Sequence, residues 1–352
     1  MHIQVAMHTT QQGIQPMNPP DPDRSRSAAA LLRDCDDAVL PERAAGDAVV
    51  QWVAGALMER AHLADIHRPL PDASAVATAM HLYRRLLFPE VFTGGKPTLA
   101  GLTEDAAALF LLLEDLLLCE RLARPGRERY GAQPGEPCGQ STAVAAQWAH
   151  ETAQSVMERL PWLREQCESD VQAALDGDPA ARSRAEIILC YPGFDAIATY
   201  RLAHSVWLAD GLLVARMMAE QAHQRTGIDL HPGATIGPAL FIDHGTGVVV
   251  GETAHIGARV RLYQGVTLGA RSISPGQTGA AVTKRHPTLE DDVVIYANAT
   301  ILGGDVIIGK GAIVGGNTWV TTSVPAGARM RIDVAARVAE AVVMVPHGAQ
   351  PE

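Results

Sequence analysis

Lysine is nearly absent from this chain. Three occur, Lys96, Lys284 and Lys310, and arginine carries the rest of the basic charge. We read this as genome composition, without functional weight. Acidic residues outnumber basic ones, and the formal net charge of -10 argues against a general nucleic-acid binder, which needs a basic face. Cysteine is sparse and scattered (Cys35, Cys119, Cys138, Cys167, Cys190), with no C-x-x-C pair. In a chain this long that predicts reduced cytoplasmic thiols and excludes a disulfide frame. No basic flank followed by an apolar run opens the sequence, so no signal peptide is expected. No apolar run is long enough to cross a bilayer either. AAALFLLLEDLLL at 106–118 is broken by Glu114 and Asp115, and it reads as a buried bundle helix.

What the chain does have is a six-residue repeat. Its 352 residues, 47% hydrophobic, leave room for two or three domains. Between Gly227 and Pro325, single aliphatics recur every six positions. Leu230, Ile236 and Ile242 set one frame, and Val250, Ile256, Leu262 and Leu268 a second, offset by two residues. Leu289, Ile295 and Ile301 resume the period. After a one-residue slip, Ile308, Val314 and Val320 finish it. This period predicts a solenoid with three short faces per coil, each burying one aliphatic. A sandwich of alternating strands would show period two instead. Gly237, Gly251, Gly257, Gly309 and Gly315 follow the buried aliphatic, where a corner is expected to need unusual backbone angles.

The rest divides by composition. Residues 1–27 are polar and proline-punctuated, and read as a disordered tail. Residues 28–168 are Ala- and Leu-rich with helical spacing. Helices are expected at 47–67, from Ser74 as N-cap to Leu87, and from Thr103 as N-cap to Leu122. A Gly/Pro-rich loop follows at 125–139, then helices at 141–160 and 162–176. Residues 169–226 lead into the coils: a turn at DGDP, a short helix, a break at CYPG, then helices at 194–208 and 212–225. The solenoid spans 227–325. Residues 326–352 form a C-terminal tail, with a short closing helix at 332–344 and a loose end.

One histidine stands out. His244 lies in DHGTGVVV, where the two-residue insertion breaks the period and pushes a side chain out of the pattern. Asp229 precedes it by fifteen residues, close to one coil of about eighteen. That spacing can set a carboxylate beside an imidazole, fixing its tautomer and favouring the imidazolium formed as a proton is taken. An imidazole oriented in this way can serve as a general base.

The segments DLHPGATIG, IDHGTGVVVGETA, YQGVTLGA, KRHPTLEDDVVI and ILGGDVIIGKGAIVGGN, with CYPGFDAIATYRLAH upstream, resemble the serine O-acetyltransferases among the hexapeptide-repeat acyltransferases. The resemblance covers roughly residues 169–325. It implies an α+β chain: an N-terminal α-helical domain followed by a left-handed parallel β-helix. It implies acetyl-CoA-dependent acetylation of L-serine, the first step toward cysteine, with no metal. It implies a His244–Asp229 dyad, with His286 on the acid side of the site. Arg285 and His286 would reach the substrate carboxylate, and Asp178 and Asp243 its ammonium. Ammonium is paired by carboxylates and carboxylate by Arg or His. The cofactor would run between coils of two subunits past Gly269, Ala270, Ala297 and Gly316. Ala270 stands where a second glycine is usual, and the loop at 271–283 is longer than usual. Glu252 reads as a supporting acid. Arg201 and His204 share one helix face, either supporting the site or packing. His231 and His255 read as turn and coil-face residues.

The resemblance also implies a homo-oligomer built on a trimer and inhibition by cysteine. Many members end in a tail with a terminal isoleucine that docks into the next enzyme, the sulfhydrylase. VPHGAQPE does not suit that pocket, so no such complex is expected through it. Other readings keep the fold and change the chemistry. Homoserine or a sugar could be the acceptor, but Asp178, Asp243 and Arg285 favour an amino acid. A metal lyase on these coils would need three convergent histidines, and the coil histidines His231, His244, His255 and His286 lack the close HxxxxH pair. A non-catalytic scaffold would not need the dyad.

Overall fold

Several helices begin where a side chain satisfies the first free N–H groups. In the computed structural model, residues 70–123, 142–271 and 283–331 are described. Helix α1 (Ala73–Leu87) is capped by Asp72, whose carboxylate accepts from the Ala75 amide at 2.8 Å. The cap is thus two residues before Ser74, which instead bonds the same carboxylate. Pro89 opens the short α2 (Pro89–Phe92). Helix α3 (Leu99–Ala123) starts four residues before Thr103, because Thr98 accepts from the Gly101 amide at 3.2 Å. Thr103 lies inside the helix and donates to the Leu99 carbonyl at 2.8 Å. Helices α4 (Thr142–Glu158), α5 (Leu160–Gly177), α6 (Arg184–Cys190), α7 (Pro192–Leu208) and α8 (Leu212–Thr226) follow. The expected break at CYPG is narrow: Pro192 is the first residue of α7, where its missing N–H costs nothing. Gly227, at φ 69°, ends α8 and hands the chain to the solenoid. Among the described residues no helix is long and apolar enough to cross a membrane.

Fourteen short strands then wind into about five coils. The first holds β1 (Asp229–Leu230), β2 (Thr235–Ile236) and β3 (Phe241–Asp243); the second β4 (Val249–Val250), β5 (His255–Ile256) and β6 (Arg261–Tyr263). The third holds β7 (Thr267–Gly269), β8 (Thr288–Leu289) and β9 (Val294–Ile295); the fourth β10 (Thr300–Leu302), β11 (Ile307–Ile308) and β12 (Ile313–Val314). The fifth has β13 (Trp319–Val320) and β14 (Arg329–Met330). They stack as three parallel sheets: sheet I is β1-β4-β7-β10-β13, sheet II β2-β5-β8-β11, and sheet III β3-β6-β9-β12-β14.

The register reproduces the repeat. Asp229 pairs with Val249, Val249 with Thr267, Thr267 with Thr300, and Thr300 with Trp319, steps of 20, 18, 33 and 19 residues. The plain coil is 18. The two extra residues are the insertion around His244, the one extra is the slip after Ile301, and the fifteen extra enter between β7 and β8. Every aliphatic of the repeat is buried, none above 9% exposed.

The glycine expectation needs correcting. Gly237, Gly251, Gly257, Gly309 and Gly315 do not have positive φ. Their glycine is required by contact with the next coil: a Cβ on Gly257 would sit 2.7 Å from the Asp291 amide nitrogen. The left-handed corner comes three residues after the aliphatic, on Arg259, Asp292, Asn298 and Asn317 among others. Asn and Asp tolerate it because a short polar side chain bonds locally.

Helices and solenoid meet at the first coil. Phe241 points out of the solenoid into the helical core. Buried Arg201 of α7 forks onto Asp170 of α5 at 2.5 and 2.6 Å. Asp170 also accepts from Leu240 N–H at 3.0 Å, and Arg201 donates to the Gly237 carbonyl at 3.1 Å. Tyr200 donates to the Ala234 carbonyl at 2.5 Å, and His204 Nδ1 lies 2.7 Å from the Pro232 carbonyl. Arg201 and His204 therefore pack and pin. Elsewhere Glu120 of α3 accepts from the amides of Leu213 and Val214, both at 3.0 Å, capping α8 where Gly211 has no side chain to do so.

The tail at 1–27, the helix at 47–67, the loop at 125–139, most of the long loop at 271–283, the helix at 332–344 and the terminal VPHGAQPE lie outside the described residues.

Candidate active site

The two-residue insertion lifts His244 off sheet III. Its φ is 58°, between Asp243 and Gly245 (φ 83°), so a non-glycine residue is held in the left-handed region. Such strain costs of order 1–3 kcal/mol and clusters at functional sites. The side chain is 72% exposed, available to a ligand. Its carboxylate neighbour is Asp243, 3.8 Å from Nε2. Asp178 lies close enough for His244 to help lower its pKa. The hydroxyl of Tyr191 donates to Asp178 at 2.6 Å and the Ala180 amide donates at 2.8 Å. These two bonds, the tyrosine's first, hold the Asp178 carboxyl below the usual range, while Tyr191 itself is pushed up to about 12. Asp178, Asp243 and His244 thus form one acidic corner with an exposed imidazole.

Asp229 is not paired with that base. Among the described residues no ion pair joins it to His244. Its neighbours are Glu220 and His223 of α8, with polar atoms within 4.8 Å of one another. Burial pushes the Asp229 carboxyl up, and His223 and Arg216 draw it partly back. These three residues could in principle hold a cation, but Glu220 is already paired with Arg216.

The second cluster sits at the edge between sheets I and II. His286 is 8% exposed. Its Nδ1 accepts from the Thr253 amide at 3.0 Å and lies 2.8 Å from the Thr253 hydroxyl. Burial, then the Arg285 charge, lowers its pKa to about 4. Burial and the neighbouring charge thus favour the uncharged ring, with Nδ1 engaged by Thr253. Arg285 is half-exposed and paired with Glu252. His231, on the same edge, accepts from the Gly233 amide at 3.0 Å and is held at about 4, by burial first and then by Arg216, His286 and Arg285.

The expected residues thus fall on two different edges of the prism. Asp243 and His244 lie between sheets III and I, as do Ala297 and Gly316. Arg285, His286, Gly269 and Ala270 lie between sheets I and II. A groove of about 450 Å³ on sheet II, lined by His255, Thr288, Glu290, Asp291 and Lys310 among others, belongs to neither. The sequence reading missed two residues. Tyr191, read as part of a turn, holds Asp178. Thr253, unremarked inside GETA, holds Arg285 and His286. Only spacing to KRHP could have hinted at the second, and the variable loop between hides it.

Residues 139–199 match the family model described as serine acetyltransferase, N-terminal. The plasmid serine acetyltransferase of Synechococcus elongatus is 47% identical over 268 residues, 75% of this chain and 82% of that one. A serine acetyltransferase of Helicobacter pylori is 45% identical over 157 residues, 45% of this chain and 87% of its own length. The crystal structure of Entamoeba histolytica serine acetyltransferase isoform 3 in complex with cysteine matches with a TM-score of 0.61 at 33% identity, over 73% of this chain and 81% of that one.

Proposed function

The chain belongs to the serine acetyltransferase family and acetylates the hydroxyl of serine on the way to cysteine; we propose that acetyl-CoA is the donor, that His244 is the general base, and that the site is completed by a second subunit of a trimer. The observation that carries the last point is the split just described. The base and the ammonium-pairing acids lie on one edge of the prism, and the carboxylate-pairing Arg285 and His286 on another. A trimer that sets one edge against its neighbour's other edge would unite them. Exposed Val249 and Trp319 on the outer face of sheet I favour such cover.

In this reading Asp178 and Asp243 pair the serine ammonium, and Arg285 with His286 binds its carboxylate. The serine oxygen attacks the thioester carbonyl as His244 takes its proton. The C–S bond then breaks, and the departing thiolate receives the proton from His244. Asp229 is the carboxylate assigned to orient the base. Backbone around Gly269, Ala270, Ala297 and Gly316 borders the cofactor path. Acetyl-CoA supply and the free thiols of Cys119, Cys167 and Cys190 fit a cytoplasmic enzyme. Cysteine keeps both charged handles of serine, so it competes for the same groups.

Subunit mixing tests the shared site. His244→Ala and Arg285→Ala are each purified inactive, unfolded together and refolded together. Mixed trimers contain intact sites and regain a fraction of wild-type turnover. No recovery, with mixed trimers demonstrated by mass, would place the whole site in one subunit.

A further inference from the structure

Every polar atom of Thr253 is committed to the segment 284–286. Its amide donates to His286 Nδ1 at 3.0 Å. Its carbonyl accepts from Lys284 Nζ at 2.7 Å. Its hydroxyl oxygen accepts from the amides of Arg285 at 2.9 Å and His286 at 3.0 Å. Those two bonds occupy both lone pairs of the hydroxyl, so its proton is free only to donate, and the acceptor in reach is His286 Nδ1 at 2.8 Å. Two donors therefore face Nδ1. A proton there would point at another N–H, so the ring proton must sit on Nε2. Gly251 completes the seat, since a Cβ there would collide with Cδ2 and Nε2 of the imidazole. Among the described residues Nε2 makes no hydrogen bond to the protein, which leaves its N–H for a ligand.

We propose that Thr253 is a positioning residue: it seats Arg285 and His286 against the coil and fixes His286 as an Nε2–H donor, so that His286 gives the bound amino acid a hydrogen bond and not a proton. This rests on the reading of Arg285 and His286 as the carboxylate-binding pair. It assigns a step to neither proton transfer nor leaving-group departure, which stay with His244. Charged groups around the imidazole fit the same role. Arg285 and Lys284 oppose a third positive charge, and Glu252 is already paired with Arg285.

Four variants in a thiol-release assay test it. Thr253→Val removes the hydroxyl and orphans two amides, so the KM for serine rises about tenfold or more. Turnover at saturation and the KM for acetyl-CoA change by no more than about threefold. Thr253→Ser keeps each bond and restores the serine KM. His286→Gln places an amide N–H near the Nε2 position and keeps kcat within about tenfold, whereas His286→Ala loses distinctly more. An unchanged serine KM in Thr253→Val overturns the proposal, as does Thr253→Ser behaving like Thr253→Val. So does His286→Gln being as inactive as His286→Ala, which would restore an acid role worth about 10² to 10⁴ in rate. A readout independent of turnover is the imidazole ¹⁵N shift of His286 at pH 7, assigned against His286→Gln. The neutral Nε2–H tautomer is expected, and the Nδ1–H tautomer or an imidazolium would refute it even if serine proved not to be the acceptor.

Discussion

Replacing Asp170 by Asn keeps the shape of the side chain and removes its charge. Asp170 is fully buried, and it receives both arms of Arg201, itself 3% exposed. Burial works against the arginine charge, and the carboxylate more than offsets it, so Arg201 is held charged above its ordinary pKa. The carboxamide leaves that charge without its counter-ion in a site closed to water. Removing one partner of a buried pair costs about 3–5 kcal/mol. The amide group of Asn also presents an N–H where Asp170 accepted from Arg201 or Leu240, which pushes the cost toward the upper end. The assay is urea unfolding at fixed protein concentration, with linear extrapolation. The expected result is a loss of about 3–5 kcal/mol with the slope unchanged. Replacing both partners by apolar residues should be milder than the single change, because no unpaired charge remains. A loss under about 1 kcal/mol for Asp170→Asn would show that the pair is hydrated or unimportant, and would refute the clamp between helices and first coil.

Three other predictions rest on contacts elsewhere in the chain. Gly257→Ala drives a Cβ into the Glu290–Asp291 backbone of the next coil, at about 1–3 kcal/mol, and melts well below Gly95→Ala, where the space is open and φ is not positive; equal melting points would count against the stacking argument. Stability should fall as pH drops from 6.5 toward 4. His231 and His286 bind no proton in the native chain until about 4, while the unfolded chain takes one on each near 6.5, so their stabilisation is complete above 6.5 and lost below it. A flat melting profile across that window would contradict the buried, neutral state of both rings. Tyr191→Phe removes the strongest donor to Asp178, so the serine KM should rise several-fold with kcat little changed; an unaltered KM would separate Asp178 from substrate.

The solenoid was legible because its rule is local. One buried aliphatic per face recurs regardless of what lies far off in sequence, and the register followed the period through an insertion, a slip and a long excursion. Helix starts were less legible, since Asp72 and Thr98 competed with equally good caps nearby. The corner glycines were found for the wrong reason: their neighbours belong to the next coil, about eighteen residues on, which composition cannot reveal. The site was read as a set of residues but not as an arrangement. His244 announced itself by breaking the period. That Asp229 would turn to α8, that Tyr191 would grip Asp178, and that Thr253 would hold His286 all depend on contacts between distant elements.

The role proposed for His244 is that of the base in acetyl transfer from acetyl-CoA to serine. It is tested most directly by release of free CoA thiol, measured for wild type and His244→Ala against serine, homoserine and a neutral sugar. Turnover with serine is expected well above that with the other acceptors. In His244→Ala it should fall by about 10² to 10⁴, with acetyl-CoA binding kept within a few-fold. Near-normal turnover in a folded His244→Ala protein, or homoserine as the better acceptor, would contradict it.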